Sequence, residues 1–255
     1  MDDRAELLAA LHRSADGLQA LAGSLDGEGL QRQSYCADWS VASVFSHLGA
    51  QGQIFGSCVD ASLAGTDPPG TDQFETIWAG WNAKPPRDQV TDAIAVDQRL
   101  LERFSAFADE AHHDLVVSAF GMQLDAATLF RMRLSEHVVH SWDVAVAFEP
   151  QSVLPGDAAS MILVAIPRLV AHRGTPSGLH RSVAIELLNP SHRYLLEIAE
   201  TLTLTASDAA GSAQLRLPTE AFVRLVYGRL DPDHTPAYEA HGVELDELRQ
   251  MFPGL

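Results

Sequence analysis

Apolar residues recur at helical spacing through the first 150 residues of the chain and at strand spacing through much of the rest. Leu7, Leu8, Leu11, Leu18 and Leu21 predict a helix from about Arg4 to Leu25, with Asp2 or Asp3 as its N-cap. Ser40 can cap a second, about Val41 to Leu63, and Asp125 a further one, about Ala126 to Phe148. Another is expected from about Thr91 to Ala111. Between the second and third lies GTDPPGTDQFETIWAGWNAKPPRD, whose Pro68-Pro69 and Pro85-Pro86 pairs forbid a continuous helix, so it reads as a long crossover loop. Four long helices with one long crossover predict a four-helix bundle.

The pattern changes after Glu149-Pro150. One helix, about Gly156 to His172, carries the apolar run MILVAI. The segments SVAIELL, RYLLEIAE, LTLTAS and AQLRLP alternate as strands do and are separated by turn residues. Short helices are expected at about Thr219 to Tyr227 and Leu245 to Met251. The predicted fold class is α+β: a bundle over residues 1–150 and a small α+β domain over 151–255.

Composition narrows the function. With 255 residues and 46% hydrophobic positions, the chain can bury a sizeable core. Its formal charge of −17, without a basic cluster, argues against nucleic acid and anionic membranes as partners. Two cysteines, Cys36 and Cys58, make neither a disulfide framework nor a CxxC site. The acidic, polar-interrupted start does not read as a signal peptide, and no apolar run is long enough to span a bilayer. The expectation is a reduced, cytoplasmic protein.

Chemistry concentrates in RLSEHVVHSWD, Arg133 to Asp143. At roughly 100° per residue, His140 falls about 40° from Glu136 on the helical wheel, and Asp143 about 20° the other way. The helix is apolar nearly all round, which marks it as buried. A buried carboxylate beside an imidazole has two readings. It is a neutralised pair, with Arg133 as a possible third member, or it is part of a divalent-metal site. A metal needs a third donor. His47 lies on the second predicted helix amid Val44, Phe45, Leu48 and Phe55, and metal sites in bundles are built from facing helices. The H-x-x-H pair of His137 and His140 is a rival arrangement. Cys58 stands about 16 Å along the axis from His47 at 1.5 Å per residue, too far to share its ion.

WSVASVFSHL, followed about ninety residues later by RLSEHVVHSWDVAVA, resembles the mycothiol-dependent maleylpyruvate isomerase family of DinB-like metal-binding bundles. AQLRLPTEAFVRLVYGRL resembles that family's small C-terminal domain. The resemblance implies a divalent metal, expected to be Zn²⁺, on His47, Glu136 and His140. It implies mycothiol as thiol co-substrate, a small-molecule electrophile, and an active site between the two domains. It also implies two catalytic arginines, for which Arg87 and Arg229 are the nearest candidates. Coordination ionises a thiol, which then adds to an activated double bond; elimination after rotation gives cis–trans isomerisation, and release of the adduct gives S-transfer. Asp143 is expected either to orient a ligand imidazole or to make an interdomain salt bridge. Phe74, Trp78 and Trp81 either line a pocket or anchor the loop. The competing functions are a thiol-independent metal hydrolase on the same bundle and a non-catalytic binding or regulatory protein; the assembly is expected to be a monomer or homodimer.

Overall fold

The computed structural model describes residues 3–107, 116–178 and 180–254. The chain divides into two compact units, Met1–Pro150 and Gln151–Leu255.

The first unit contains α1 (Arg4–Gly23), α2 (Gly27–Gln31), α3 (Val41–Ala64), α4 (Thr71–Asn82), α5 (Pro86–Phe107), the hairpin β1 (Val116–Ala119) and β2 (Met122–Asp125), and α6 (Ala126–Ala145). The long helices close a four-membered ring of neighbours: α1 packs on α5 and α6, and α3 packs on the same two. The caps follow the side chains. Ser40 Oγ accepts the Ser43 amide at 3.1 Å, and Asp125 accepts the Thr128 amide at 2.8 Å. Asp3 occupies the N-cap position of α1 but makes no side-chain cap; its carboxylate pairs with Arg131 instead. Asp2 lies outside the described residues.

Several elements differ from expectation. The crossover is not a loop, because α4 occupies half of it between the two proline pairs. Gly65 (φ 65°) ends α3 in the left-handed conformation that favours glycine, and the Gln73 side chain accepts the Gly70 amide at 3.0 Å to start α4. α5 begins at Pro86 rather than Thr91, since proline's missing N–H costs nothing at a first helical position. The expected end of that helix, 108–111, lies outside the described residues. α6 stops at Ala145 and leaves Val146–Phe148 as turn. The β1–β2 hairpin is an addition to the expected elements. Its two-residue turn takes positive φ at Phe120 (53°) and Gly121 (72°), the geometry that matches strand twist.

Inside the bundle, Arg133 of α6 donates to Asp97 of α5 at 2.8 Å, to the Gln51 side chain at 2.9 Å and to the Leu48 carbonyl of α3 at 3.2 Å. His137 pairs with the other Asp97 oxygen at 2.6 Å and with Ser14 of α1 at 2.8 Å. This polar network ties all four long helices, and its charges are buried but paired.

The second unit contains α7 (Gly156–Leu163), α8 (Ile166–Arg173), β3 (Arg181–Leu188), β4 (His192–Ile198), β5 (Leu202–Ala206), β6 (Ala213–Pro218), α9 (Thr219–Val226), β7 (Glu239–His241) and α10 (Leu245–Met251). The single helix expected from Gly156 to His172 is broken at Val164–Ala165, because Pro167 fits only the first turn of a new helix. The sheet has order β5-β4-β3-β6-β7, with β3 and β6 parallel and the other pairs antiparallel. Val183, Ile185, Leu187, Leu196, Leu215 and Leu217 line its buried face. The other face carries a ladder of alternating charge, Arg193–Glu186–Arg216–Glu239.

Candidate metal centre

α3 and α6 pack together, and each turns one polar stripe toward the other. His47 Nε2 stands 3.2 Å from Glu136 Oε2, and His140 Nε2 stands 3.6 Å from the same oxygen. The two imidazole centroids are 4.6 Å apart. One donor atom from each residue lies within 4.8 Å of the other two. The side chains of His47, Glu136 and His140 keep 21%, 25% and 11% of their surface exposed, which leaves a small molecule a way in.

His140 is held by its other nitrogen. Nδ1 lies 2.8 Å from Asp143 Oδ2, and Asp143 is fully buried. A carboxylate there accepts the Nδ1–H and leaves Nε2 directed at Glu136, the nitrogen that would turn its lone pair to a cation once its proton is displaced. Cys36 Sγ donates to the same Asp143 oxygen at 3.0 Å.

His47 is held by stacking. Trp78 of α4 lies 5.2 Å from its ring at 21°, and Trp39 lies 5.1 Å away at 45°. Trp78 reaches that place because α4 is docked on α3 one turn further on. Trp81 covers Gly49 so closely that a Cβ there would fall 2.3 Å from the indole. Trp81 Nε1 donates to Gln53 at 2.9 Å, and Ser46 donates to Asn82 at 3.0 Å. Of the aromatics in the expected loop, Trp81 is thus the anchor and Trp78 the wall; Phe74 packs on Phe120 at 5.5 Å.

The electrostatics centre on one positive charge. Burial pushes the Glu136 carboxyl up, but hydrogen bonds from His140 and His47 outweigh it and hold the group well below the usual carboxylate range. Burial pushes His140 down, yet Asp143, Cys36 and Glu136 raise it well above an ordinary histidine. Burial lowers His47. The cluster therefore pairs an ionised carboxylate with one imidazolium, and a divalent cation would replace that proton. Distances agree: donors about 2.1 Å from one tetrahedral ion stand about 3.4 Å apart, between the two separations observed.

His47, Glu136 and His140 are thus brought together. The other candidates are not part of the cluster. His137 spends both nitrogens on Asp97 and Ser14, so the H-x-x-H arrangement does not form. Arg133 serves Asp97 and Gln51 rather than Glu136. Cys58 is buried, and burial raises its thiol to about 11. Arg87 is exposed in the first turn of α5. Arg229 is buried in the second unit and donates Nη1 to the Tyr227 carbonyl at 2.7 Å. Sequence reasoning misses Cys36 and Asp97; neither has a local signal, since each acquires its partner only through long-range packing.

Fold and cluster define the class: a four-helix bundle presenting two imidazoles and a carboxylate from facing helices, followed by a small α+β unit. Residues 11–145 match the family described as Mycothiol maleylpyruvate isomerase N-terminal domain, and the chain belongs to that family. An uncharacterized protein of Mycobacterium tuberculosis, found in strains CDC 1551 and H37Rv, is 26% identical over 232 residues, covering 84% of either chain. Among solved structures, the mycothiol-dependent maleylpyruvate isomerase aligns with a TM-score of 0.68 at 15% identity, over 93% of this chain and 92% of that one. A histidine-to-alanine mutant of it aligns with a TM-score of 0.66, over 89% of each. At that identity the likeness carries the fold.

Proposed function

We propose that the protein is a metal-dependent enzyme that uses a low-molecular-weight thiol, mycothiol, to attack an electrophilic small molecule. The convergence of His47 Nε2, the Glu136 carboxylate and His140 Nε2 carries this reading, and membership of the isomerase family supports the choice of thiol. His47, Glu136 and His140 would hold the cation, and a set of two neutral histidines and one carboxylate suits Zn²⁺. Such an ion supplies the positive charge that ionises a thiol at neutral pH and polarises a substrate carbonyl.

The protein's own part is placement. Asp143 holds the Nδ1 proton of His140, the Glu136 carboxylate faces both imidazoles, and Trp39 and Trp78 pack against the His47 ring. The thiolate of the co-substrate adds to a carbon–carbon double bond and leaves a single bond that rotates. Expulsion of the same thiolate restores the double bond in the opposite geometry, the outcome for a maleylpyruvate-like substrate. Protonation and release of the adduct give S-transfer instead. No protein nucleophile is needed. The family resemblance assigns Arg87 and Arg229 catalytic roles in this reading.

The proposal places the protein in the cytoplasm, as a monomer or homodimer acting on small molecules rather than on nucleic acid or membranes. No helix among the described residues is long and apolar enough to cross a membrane. The test is calorimetric titration of mycothiol into zinc-loaded and metal-free protein, with maleylpyruvate isomerisation as the first activity assayed. Binding is expected only in the loaded form and is lost in His47→Ala. Loaded protein without affinity for any low-molecular-weight thiol would refute the proposal, and turnover independent of thiol would reassign the site to hydrolysis.

A further inference from the structure

The segment Gln33–Ser40, QSYCADWS, gives the cluster no expected ligand, yet its Trp39 ring packs beside both imidazoles. It is a closed turn. Gln33 and Ser40 form an antiparallel bridge across its base. The Trp39 carbonyl accepts from the Ser34 amide, the Ser34 hydroxyl and Gln33 Nε2, each at 2.9 Å. The Cys36 carbonyl accepts from Gln33 Nε2 at 2.6 Å and from the Trp39 amide at 3.2 Å. The Tyr35 amide donates to the Asp143 carbonyl at 3.0 Å, which ties the turn to α6.

Two side chains leave this frame toward the cluster. Cys36 Sγ–H donates to Asp143 Oδ2, the oxygen that also accepts from His140 Nδ1. A fully buried carboxylate whose one oxygen takes two donors is held in place, so the His140 ring plane and its Nδ1 proton are oriented before any ligand arrives. Trp39 lies 5.1 Å from the His47 ring and 6.0 Å from the His140 ring, the latter at 23°. One indole therefore restrains both imidazoles, from helices α3 and α6.

We propose that the Gln33–Ser40 turn is a preformed clasp for the metal centre, with Cys36 acting through Asp143 on His140 and Trp39 acting directly on both imidazoles as positioning residues. The inference rests on reading the cluster as a metal centre and goes beyond it: the thiol of Cys36 serves as a hydrogen-bond donor and not as a metal ligand. The alternative has a geometric basis, because Cys36, His140 Nδ1 and Asp143 also lie close enough to surround a cation.

Cobalt(II) distinguishes the two. Metal-free protein is titrated with Co²⁺ without added thiol, and affinity is measured by chelator competition beside the visible ligand-field spectrum. Outer-sphere partners of ligand histidines are worth about 10–100-fold in metal affinity. Cys36→Ala is expected to lose about tenfold and to shift the ligand-field bands, with the thermal midpoint of the metal-free protein unchanged. Cys36→Ser, which keeps a donor, restores most of the loss. Trp39→Leu weakens binding, and Trp39→Phe falls between it and wild type. Should Cys36→Ala not fold, Cys36→Val keeps the volume without the donor and carries the same expectation.

Wild-type affinity and spectrum in both Cys36→Ala and Trp39→Leu would overturn the clasp. So would a thiolate-to-cobalt charge-transfer band in wild type that vanishes in Cys36→Ser, since Cys36 would then be a ligand. Wild-type protein that binds no Co²⁺ would instead sink the metal reading beneath it.

Discussion

Gly49→Ala tests how the wall beside His47 is built. In most helix interiors this change is stabilising by about 1 kcal/mol, because alanine is the better helix former. At Gly49 the sign should reverse. The new Cβ would fall 2.3 Å from two carbons of the Trp81 ring and 2.9 Å from a third. Ordinary contact begins near 3.4 Å, so the ring must withdraw by about 1 Å. It is poorly free to do so, being 3% exposed and bonded to Gln53. Overpacking of this kind costs about 1–3 kcal/mol. Gly56, on the same helix, has nothing within 4 Å of the place a methyl group would take, and supplies the control. Calorimetry should show Gly49→Ala lowering the thermal midpoint, by about 2–4 °C per kcal/mol for a chain of this size, while Gly56→Ala raises it. Displacement of Trp81 moves α4, so Gly49→Ala should also weaken metal binding by lifting Trp78 from His47. If both variants gained stability equally, the Trp81–Gly49 contact would not be what docks α4.

The buried network gives two further expectations. Asp97→Ala strands Arg133 without its carboxylate and should cost about 3–5 kcal/mol in urea unfolding; a loss under about 1 kcal/mol would show that water replaces it. Burial alone would raise the Asp97 carboxyl, but the facing His137 and Arg133 hold it far below the usual range. Its folded-state pKa is depressed, so its contribution is complete above about pH 4, the unfolded value, and is lost as pH falls further. Stability curves of Asp97→Asn should therefore be flatter than wild type below about pH 4, and parallel curves would contradict the pairing. Of the two cysteines, Cys58 is buried with its thiol raised to about 11, whereas Cys36 is partly exposed. Native alkylation followed by mass spectrometry should modify Cys36 and spare Cys58; modification of both would show that α3 opens.

Part of the candidate cluster was legible in the sequence: the Glu136–His140 pair through its local spacing, and His47 as an isolated polar residue that the family resemblance joined to it. Glu136 and His140 are four residues apart on an otherwise apolar helix, and His47 stands alone among Val44, Phe45 and Leu48. What fixes their geometry was not legible. Cys36 meets Asp143 across 107 positions and Asp97 meets His137 across 40, distances at which no periodicity speaks. α4 was hidden by its own chemistry: among its residues only Trp81 is buried, and the prolines and glycines in and around it read as punctuation. The second unit's strands were visible from strict alternation, as in β6, where Ala213, Leu215 and Leu217 point inward. The three-residue β7 is too short to show any pattern.

The central claim is that α3 and α6 close His47, Glu136 and His140 around one divalent cation. An anomalous difference map from zinc-grown crystals, recorded at the metal's absorption edge, tests it directly. The account predicts a single strong peak about 2.0–2.2 Å from Nε2 of both histidines and from the Glu136 carboxylate. Glu136 hydrogen-bonded to the two imidazoles with no peak between them, or a peak on other donors, would contradict it.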